Sequence, residues 1–143
     1  MKLHPVRSAE LVAKVSHFSD LVASVRAHHE TWTGTGYPDR LKGDAIPLAA
    51  RVIALADTID AMTTSRPYRS GMELGEVRVE IEREGGRQFD PRIARLVTEP
   101  HAWAMIADVV TRAHSEYPAV DLRSVSREFA VGNTGEFVAV AAR

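Results

Sequence analysis

The first half of the chain alternates apolar and polar positions with the period of an α-helix, broken by one long loop. Apolar residues recur every three or four positions over 7–15, which predicts a first helix. Ser19 or Asp20 can cap a second helix that runs to residues 28–30. Residues 31–47 contain three glycines and two prolines, so we expect an irregular loop there. A loop of this length in a compact domain is usually functional or disordered.

The next segments predict further helices with different faces. Residues 48–64 are apolar on nearly every side, which is typical of a helix in the centre of a bundle. The proline at position 67 disfavours helical geometry in the residue before it and so ends this helix. Residues 72–84 are amphipathic, with apolar side chains facing inward, and the glycine pair 85–86 suits a C-terminal cap. The inward positions are Leu74, Val77 and Ile81.

The last third of the chain is less regular. Asp90 followed by Pro91 is a favourable pair for starting a helix, and residues 103–113 predict one more. Residues 136–140 could form a short strand, and the rest of 120–143 follows no clear period. The pattern therefore predicts an all-α fold, a helical bundle over the first hundred residues, with an uncertain C-terminal tail.

Composition narrows the class of protein. The 143 residues are 45% hydrophobic and 26% charged, and 18 basic residues against 19 acidic ones leave a net charge of −1. This balance argues against a disordered chain and against a binder of nucleic acid polymers or membrane surfaces held by bulk charge. There is no cysteine, and no apolar run approaches the length that spans a bilayer. We therefore expect a soluble, cytoplasmic domain without a signal peptide.

Three histidines and one aspartate are candidates for metal binding. His28 and His29 are adjacent, so on a helix they point about 100° apart. Both can reach one cavity that lies beyond the helix end, or one can bind an ion directly while the other orients it. His4 stands beside Pro5 and offers a third imidazole. The alternative is that His28 and His29 belong to an ordinary solvated helix end.

Asp57 is flanked by apolar residues on the predicted central helix. A buried carboxylate is costly unless it is paired or binds a metal, which favours a metal centre, and Asp60 lies on nearly the same face. Oxygen and imidazole ligands without thiolates favour iron or manganese over structural zinc. Asp57 could instead pair with an arginine such as Arg51, or cap a neighbouring helix.

Other side chains suggest a phosphorylated ligand. Arg66 and Arg69 offer planar groups that match phosphate oxygens, although such arginines are also common on surfaces. Trp32 and Tyr37 could stack on a base or pack against the bundle. The remaining histidines carry no motif and are expected to be structural or exposed: His17, His101 and His114.

Several motifs in order resemble one family. Residues 28–38, HHETWTGTGYP, resemble the HHE-x-x-D-G-x-G-Y-P signature of HD-GYP domains, which are bacterial cyclic di-GMP phosphodiesterases. The resemblance continues through 41–47, 50–57, 60–63, 65–69 and 85–91. His4 and Pro5 are similar to the family's H-P-x-x-G element, with Ser8 in place of the glycine. About residues 4–97 are covered.

The resemblance implies a fold, a reaction and a set of site residues. It implies an HD-domain-like bundle with a GYP loop that hydrolyses cyclic di-GMP to pGpG and, in some members, to GMP. A complete domain would hold two or three divalent ions, iron or manganese. The implied metal ligands are His4, His28, His29 and Asp57. Catalysis would rest on His28, His29 and Asp57, and substrate contacts on Arg66, Arg69, Tyr37 and Pro38.

The chain also departs from the family. No His-Asp dipeptide occurs in it, and Thr33 replaces the aspartate of the D-G-x-G-Y-P segment. Residues 1–100 therefore resemble the C-terminal two-thirds of the domain, and 101–143 form an extension of unknown role. We expect weakened metal binding and exposed apolar surface on the 48–64 helix.

These departures leave the enzyme question open. One hypothesis is a metal-dependent phosphodiesterase, impaired in this chain, with a sensor or diguanylate cyclase domain as a possible partner and oligomers possible. The alternative is a catalytically degenerate module that binds cyclic di-GMP or another protein. A third is a fragment that is only partly stable.

Overall fold

The computed structural model describes residues 3–65 and 70–116, which form six α-helices and two short 3₁₀ helices. Within these residues there is no strand beyond a single bridge between Gly85 and Phe89, so the all-α prediction is confirmed. None of these helices is long and apolar enough to cross a membrane. The α-helices are α1 (His4–Val12), α2 (Val22–Ala27), α3 (Leu48–Thr63), α4 (Leu74–Glu84), α5 (Pro91–Thr98) and α6 (Pro100–Glu116).

The N-terminal helices differ from the sequence prediction. Helix α1 begins at His4, with Pro5 in its first turn, rather than at residue 7. The predicted second helix is present as α2, but it begins at Val22 without a side-chain cap, so the predicted cap at Ser19 or Asp20 is wrong. These two residues lie in a 3₁₀ helix, Ser16–Leu21. Phe18 and Leu21 remain exposed, so burial of apolar surface does not favour one long α-helix there.

Helix α3 has the predicted length but not the predicted central position. Within the described residues its most extensive contacts are with α2, α4 and α5. Leu48, Val52 and Ile53 are 62%, 48% and 41% exposed. Helix α3 therefore has two apolar faces, of which one packs against the bundle and the other is exposed. This confirms the expected exposed apolar surface on this helix.

The main core lies between α3, α4, α5 and α6. Val77 and Ile81 on α4 are fully buried, as the amphipathic pattern predicts, and Leu74 packs against the core. Gly86, just beyond α4, has a φ of +82°, a left-handed conformation that favours glycine. The buried cluster consists of Leu55, Ile59, Val77, Ile81, Phe89, Ala94 and Trp103.

The start of α5 follows the predicted capping chemistry. The Asp90 carboxylate accepts a hydrogen bond from the Arg92 backbone N–H at 2.9 Å, and Pro91 occupies the first turn. Helix α6 extends from Pro100 to Glu116, longer than predicted, and inserts Trp103 into the core. The possible strand at 136–140 lies outside the described residues. The three histidines without a motif are exposed: His17, His101 and His114.

Candidate metal centre

Three imidazole rings meet where α1 approaches the end of α2. His4 is the first residue of α1, and His28 and His29 directly follow α2. One ring nitrogen of each lies within 4.8 Å of the others, and the Nε2 atoms of His4 and His29 are 2.8 Å apart. The chain leaves the helix at this point, so the adjacent side chains of His28 and His29 can converge.

The geometry of these rings fits a metal ion. The Nδ1 atom of His28 lies 2.6 Å from the backbone carbonyl of Val25, which only accepts hydrogen bonds. That contact places the ring proton on Nδ1 and leaves the Nε2 lone pair for a ligand. Two nitrogens bound at right angles to one ion, each at about 2.1 Å, lie about 3 Å apart. The separation of His4 and His29 is close to that value.

The electrostatics of His29 also favour a neutral ring. Partial burial lowers the pKa of His29, and the neighbouring His28 and His4 rings lower it further. The Asp57 carboxylate acts in the opposite direction, which shows that it lies near His29. A neutral imidazole is the form that binds metal ions, so His29 is available at neutral pH.

Asp57 lies beside the histidines but is not buried. It lines a cavity together with His28 and His29, yet its side chain is exposed, which contradicts the expected burial among apolar residues. The cause is the open face of α3. Arg51 pairs with Asp44 and Asp90 and not with Asp57, so the suggested pairing of Asp57 with Arg51 is wrong. Asp60 lines a different groove, between α3 and α6.

The cavity is the space in which a ligand could meet these groups. Its volume is about 480 Å³. Two of its polar lining residues, Glu30 and Gln88, received no role from the sequence. The remaining lining residues are Thr31, Ala54, Thr58, Ala61 and Met62.

The GYP loop, residues 36–38, packs directly on the histidine pair. A Cβ atom on Gly36 would lie 2.6 Å from the carbonyl oxygen of His29, so only glycine allows this approach. The Tyr37 N–H donates to that carbonyl at 3.2 Å, and the Tyr37 ring stacks on the His29 ring at 5.0 Å. The half-buried Pro38 follows in a cis peptide. The loop therefore holds the position of His29.

A second contact fixes the far side of the loop. The Asp39 N–H donates to the Oε1 atom of the buried Glu30 at 2.7 Å. The Asp39 carboxylate in turn receives two hydrogen bonds from Arg26 on α2, each 2.7 Å long. These contacts connect the loop to the helix that precedes the histidines.

An ion-pair cluster joins the loop to α3 and α5. Asp90, with its side chain 1% exposed, accepts from Arg51 at 2.6 Å and from Arg92 at 2.9 Å. Both guanidinium groups lie over the Trp32 ring, at 5.8 and 5.4 Å from its centroid. Asp44 pairs with both arginines at the surface. Trp32 thus packs against the bundle.

The predicted substrate arginines, Arg66 and Arg69, lie outside the described residues. The chain on either side of them is held at the cavity rim, since the Met72 N–H donates to the carbonyl of Met62 at 2.8 Å.

Comparisons with known proteins show the family to which this chain belongs. The HD domain family model matches residues 1–93. A cyclic di-GMP phosphodiesterase response regulator of Xanthomonas campestris is 40% identical over 94 residues, 64% of this chain and 25% of that protein. The 3'3'-cGAMP-specific phosphodiesterase 2 of Vibrio cholerae is 42% identical over 72 residues, 50% of this chain and 14% of that protein.

A solved structure shows the same fold. The crystal structure of a cyclic GMP-AMP-specific phosphodiesterase of V. cholerae aligns with a TM-score of 0.57 at 30% identity, covering 78% of this chain and 27% of that one. The chain belongs to the HD domain family, and its resemblance to the HD-GYP phosphodiesterases is confirmed. It spans between about a seventh and a quarter of the length of the curated relatives described above.

Proposed function

We propose that this chain forms part of a metal-dependent phosphodiesterase site that hydrolyses cyclic di-GMP. The observation that carries the proposal is the convergence of His4, His28 and His29 beside a cavity that Asp57 also lines. Relatives named for hydrolysis of cyclic di-GMP or 3'3'-cGAMP support the substrate class.

The donor set indicates which ions the site would hold. His4, His28, His29 and Asp57 supply imidazole nitrogen and carboxylate oxygen, and the chain has no thiolate, so iron or manganese is favoured. A complete domain would contain two or three such ions. When bound, they polarise a phosphodiester oxygen and lower the pKa of water.

The chain's own residues then position the ions and the substrate. The Val25 carbonyl orients His28, and the stacked Tyr37 ring holds His29. Arg66 and Arg69 would neutralise the phosphates. Met62, which precedes both arginines in the sequence, lines the cavity. Tyr37 and Pro38 would shape the substrate side of the site.

The position of Asp57 outside the histidine group favours a second candidate function. Metal affinity follows the number of ligands, and Asp57 does not belong to the close group of three imidazoles. We therefore expect hydrolysis by this chain alone to fall far below that of a complete domain. In the second candidate, the chain binds cyclic di-GMP or a protein partner without turnover.

Metal content distinguishes the two candidates. Iron and manganese per chain are measured on protein purified without oxygen, with His29→Ala and Asp57→Ala as variants and the exposed His101→Ala as a control. Two or more ions per chain, lost in the first two variants only, support the enzyme. Substantially less than one ion supports the binding module. Unchanged metal content in Asp57→Ala would show that the ligand assignment is wrong.

Activity is then measured directly. Cyclic di-GMP hydrolysis is followed for the metal-loaded chain and for a version extended by an HD-GYP helix that carries the His-Asp pair. Equal turnover by the two proteins would contradict the expected impairment.

A further inference from the structure

We propose that Gln88 contacts a purine base of the substrate through paired hydrogen bonds of its carboxamide. The inference rests on the proposed function, because it concerns the same cavity. Gln88 lines that cavity together with His28, His29 and Asp57, although it follows α4 in the sequence and they precede it.

The backbone of Gln88 is fixed, whereas its side chain is available. Its N–H donates to the Glu84 carbonyl at 3.0 Å, and its carbonyl accepts from the Trp32 N–H at 3.0 Å. The next residue, Phe89, is buried in the core. Within the described residues the carboxamide itself makes no hydrogen bond. A side chain of this kind is presented to a ligand from a rigid base.

The other neutral polar side chains of the cavity are already engaged. The Thr58 hydroxyl donates to the Ala54 carbonyl at 2.7 Å. The Thr31 hydroxyl accepts from the Thr35 N–H and contacts the Thr35 hydroxyl, both at 3.0 Å. Gln88 is therefore the neutral polar side chain of the described cavity lining whose donors and acceptor are all uncommitted within the described residues.

The chemistry of a carboxamide suits a base better than a phosphate. Phosphate oxygens only accept hydrogen bonds, and cations match them best. A carboxamide places a donor beside an acceptor, as do the base edges. It can form two bonds with O6 and N1–H of guanine, or with N7 and N6–H of adenine. Gln88 thus fits purine nucleotides in general, and a change in its hydrogen-bonding pattern should change the preference between bases.

Gln88→Glu tests that change with nearly the same shape. A carboxylate only accepts, so it still matches the adjacent N1–H and N2–H donors of guanine but faces the adenine N7 lone pair. Dissociation constants of the metal-loaded chain are measured for cyclic di-GMP, 3'3'-cGAMP and cyclic di-AMP. All three carry the same two phosphates, so the ratios cancel the repulsion that the new charge causes. We expect the ratio of the cyclic di-AMP to the cyclic di-GMP constant to rise about 3- to 10-fold, with 3'3'-cGAMP intermediate.

Gln88→Leu and a ligand without a base provide the control. This variant should weaken binding of all three dinucleotides about 3- to 10-fold and leave binding of dimethyl phosphate unchanged. Circular dichroism checks that both variants keep the helical fold. Ratios and affinities that stay within twofold of wild type would overturn the assignment of Gln88 while the proposed function stands. If the metal-loaded wild-type chain binds none of the dinucleotides, the proposed function is itself wrong, and the assignment fails with it.

Discussion

Replacing Asp90 with alanine should destabilise the fold more than any change at an exposed ion pair. Asp90 is the N-cap of α5 and the buried partner of Arg51 and Arg92. Its removal leaves the Arg51 guanidinium, 12% exposed, with only the solvent-exposed Asp44 as a partner. The Nε atom of Arg51 is already buried without a hydrogen bond, so little rearrangement can compensate.

The size of the effect follows from the contacts. The Arg92 and Arg51 guanidinium groups and the Arg92 N–H lower the pKa of Asp90 from 3.8 to about 2. That shift corresponds to about 2 kcal/mol of native-state stabilisation at neutral pH. Loss of the cap costs a further ~1 kcal/mol in typical helices, partly counted in the same shift. We expect Asp90→Ala to lower the free energy of unfolding by about 2–4 kcal/mol, a large share of the ~5–15 kcal/mol typical of a domain.

Urea unfolding followed by tryptophan fluorescence measures this difference, since Trp103 lies in the core and Trp32 lies under the two arginines. Asp44→Ala is the matched control: it also pairs with Arg51 and Arg92 but is 72% exposed, and it should cost less than about 1 kcal/mol. If Asp44→Ala destabilises as much as Asp90→Ala, the burial argument is refuted.

The same residue predicts a dependence on pH. Because the pKa of Asp90 is lowered on folding, its contribution is fully present above about pH 4 and is lost as the pH falls from about 3.8 towards 2. The stability gap between wild type and Asp90→Ala should therefore be constant from pH 5 to 7 and should narrow below pH 4. A gap that is unchanged at pH 3 would show that the ion pairs are not its source.

Three further predictions follow from the core and the metal centre. Ile81→Ala should lower the free energy of unfolding by about 2–5 kcal/mol in the same assay, because Ile81 is fully buried, whereas exposed Val79→Ala should change it little. Gly36→Ala should weaken metal binding, measured by titration calorimetry, because the alanine Cβ would displace the backbone of residues 29–31. If the variant and the wild type bind the metal with equal affinity, the loop does not position His29. Metal affinity should fall at low pH as His29 protonates. Because burial lowers the pKa of His29, the fall should begin at a lower pH than for an ordinary imidazole, and a decline that begins at a higher pH would contradict its neutral state.

The sequence predicts the helices whose signals are local. Three confirmed predictions depend on residues that are close together in the sequence. They are the cap at Asp90, the amphipathic pattern of α4 and the glycine pair 85–86. The 3₁₀ helix at Ser16–Leu21 could not be predicted from the sequence. Its position depends on which apolar side chains are buried against other parts of the fold. The prediction that Asp57 is buried was wrong for the same reason. Apolar residues on all sides of α3 do not show which of its sides pack against other helices.

The candidate site shows a similar division. The histidines and Asp57 are recognisable as candidates in the sequence by their residue types. Their proximity to one another is a property of the structure. Gln88 carries no such signal, because it reaches the cavity only when residues 87–88 pair with the backbone of residues 32–33. Side chains that act through long-range contacts are not visible in a local pattern.

The dispersal of the site along the chain links ion binding to folding. His4, His29, Asp57 and Gln88 come from the start of α1, the end of α2, the middle of α3 and the turn after α4. An unfolded chain separates these groups, so an ion that needs several of them binds the native state and not the denatured ensemble. At a thousandfold excess over its dissociation constant, such an ion adds about 4 kcal/mol to stability. In a cell, depletion of the metal would then increase the small fraction of the chain that is unfolded and open to proteolysis.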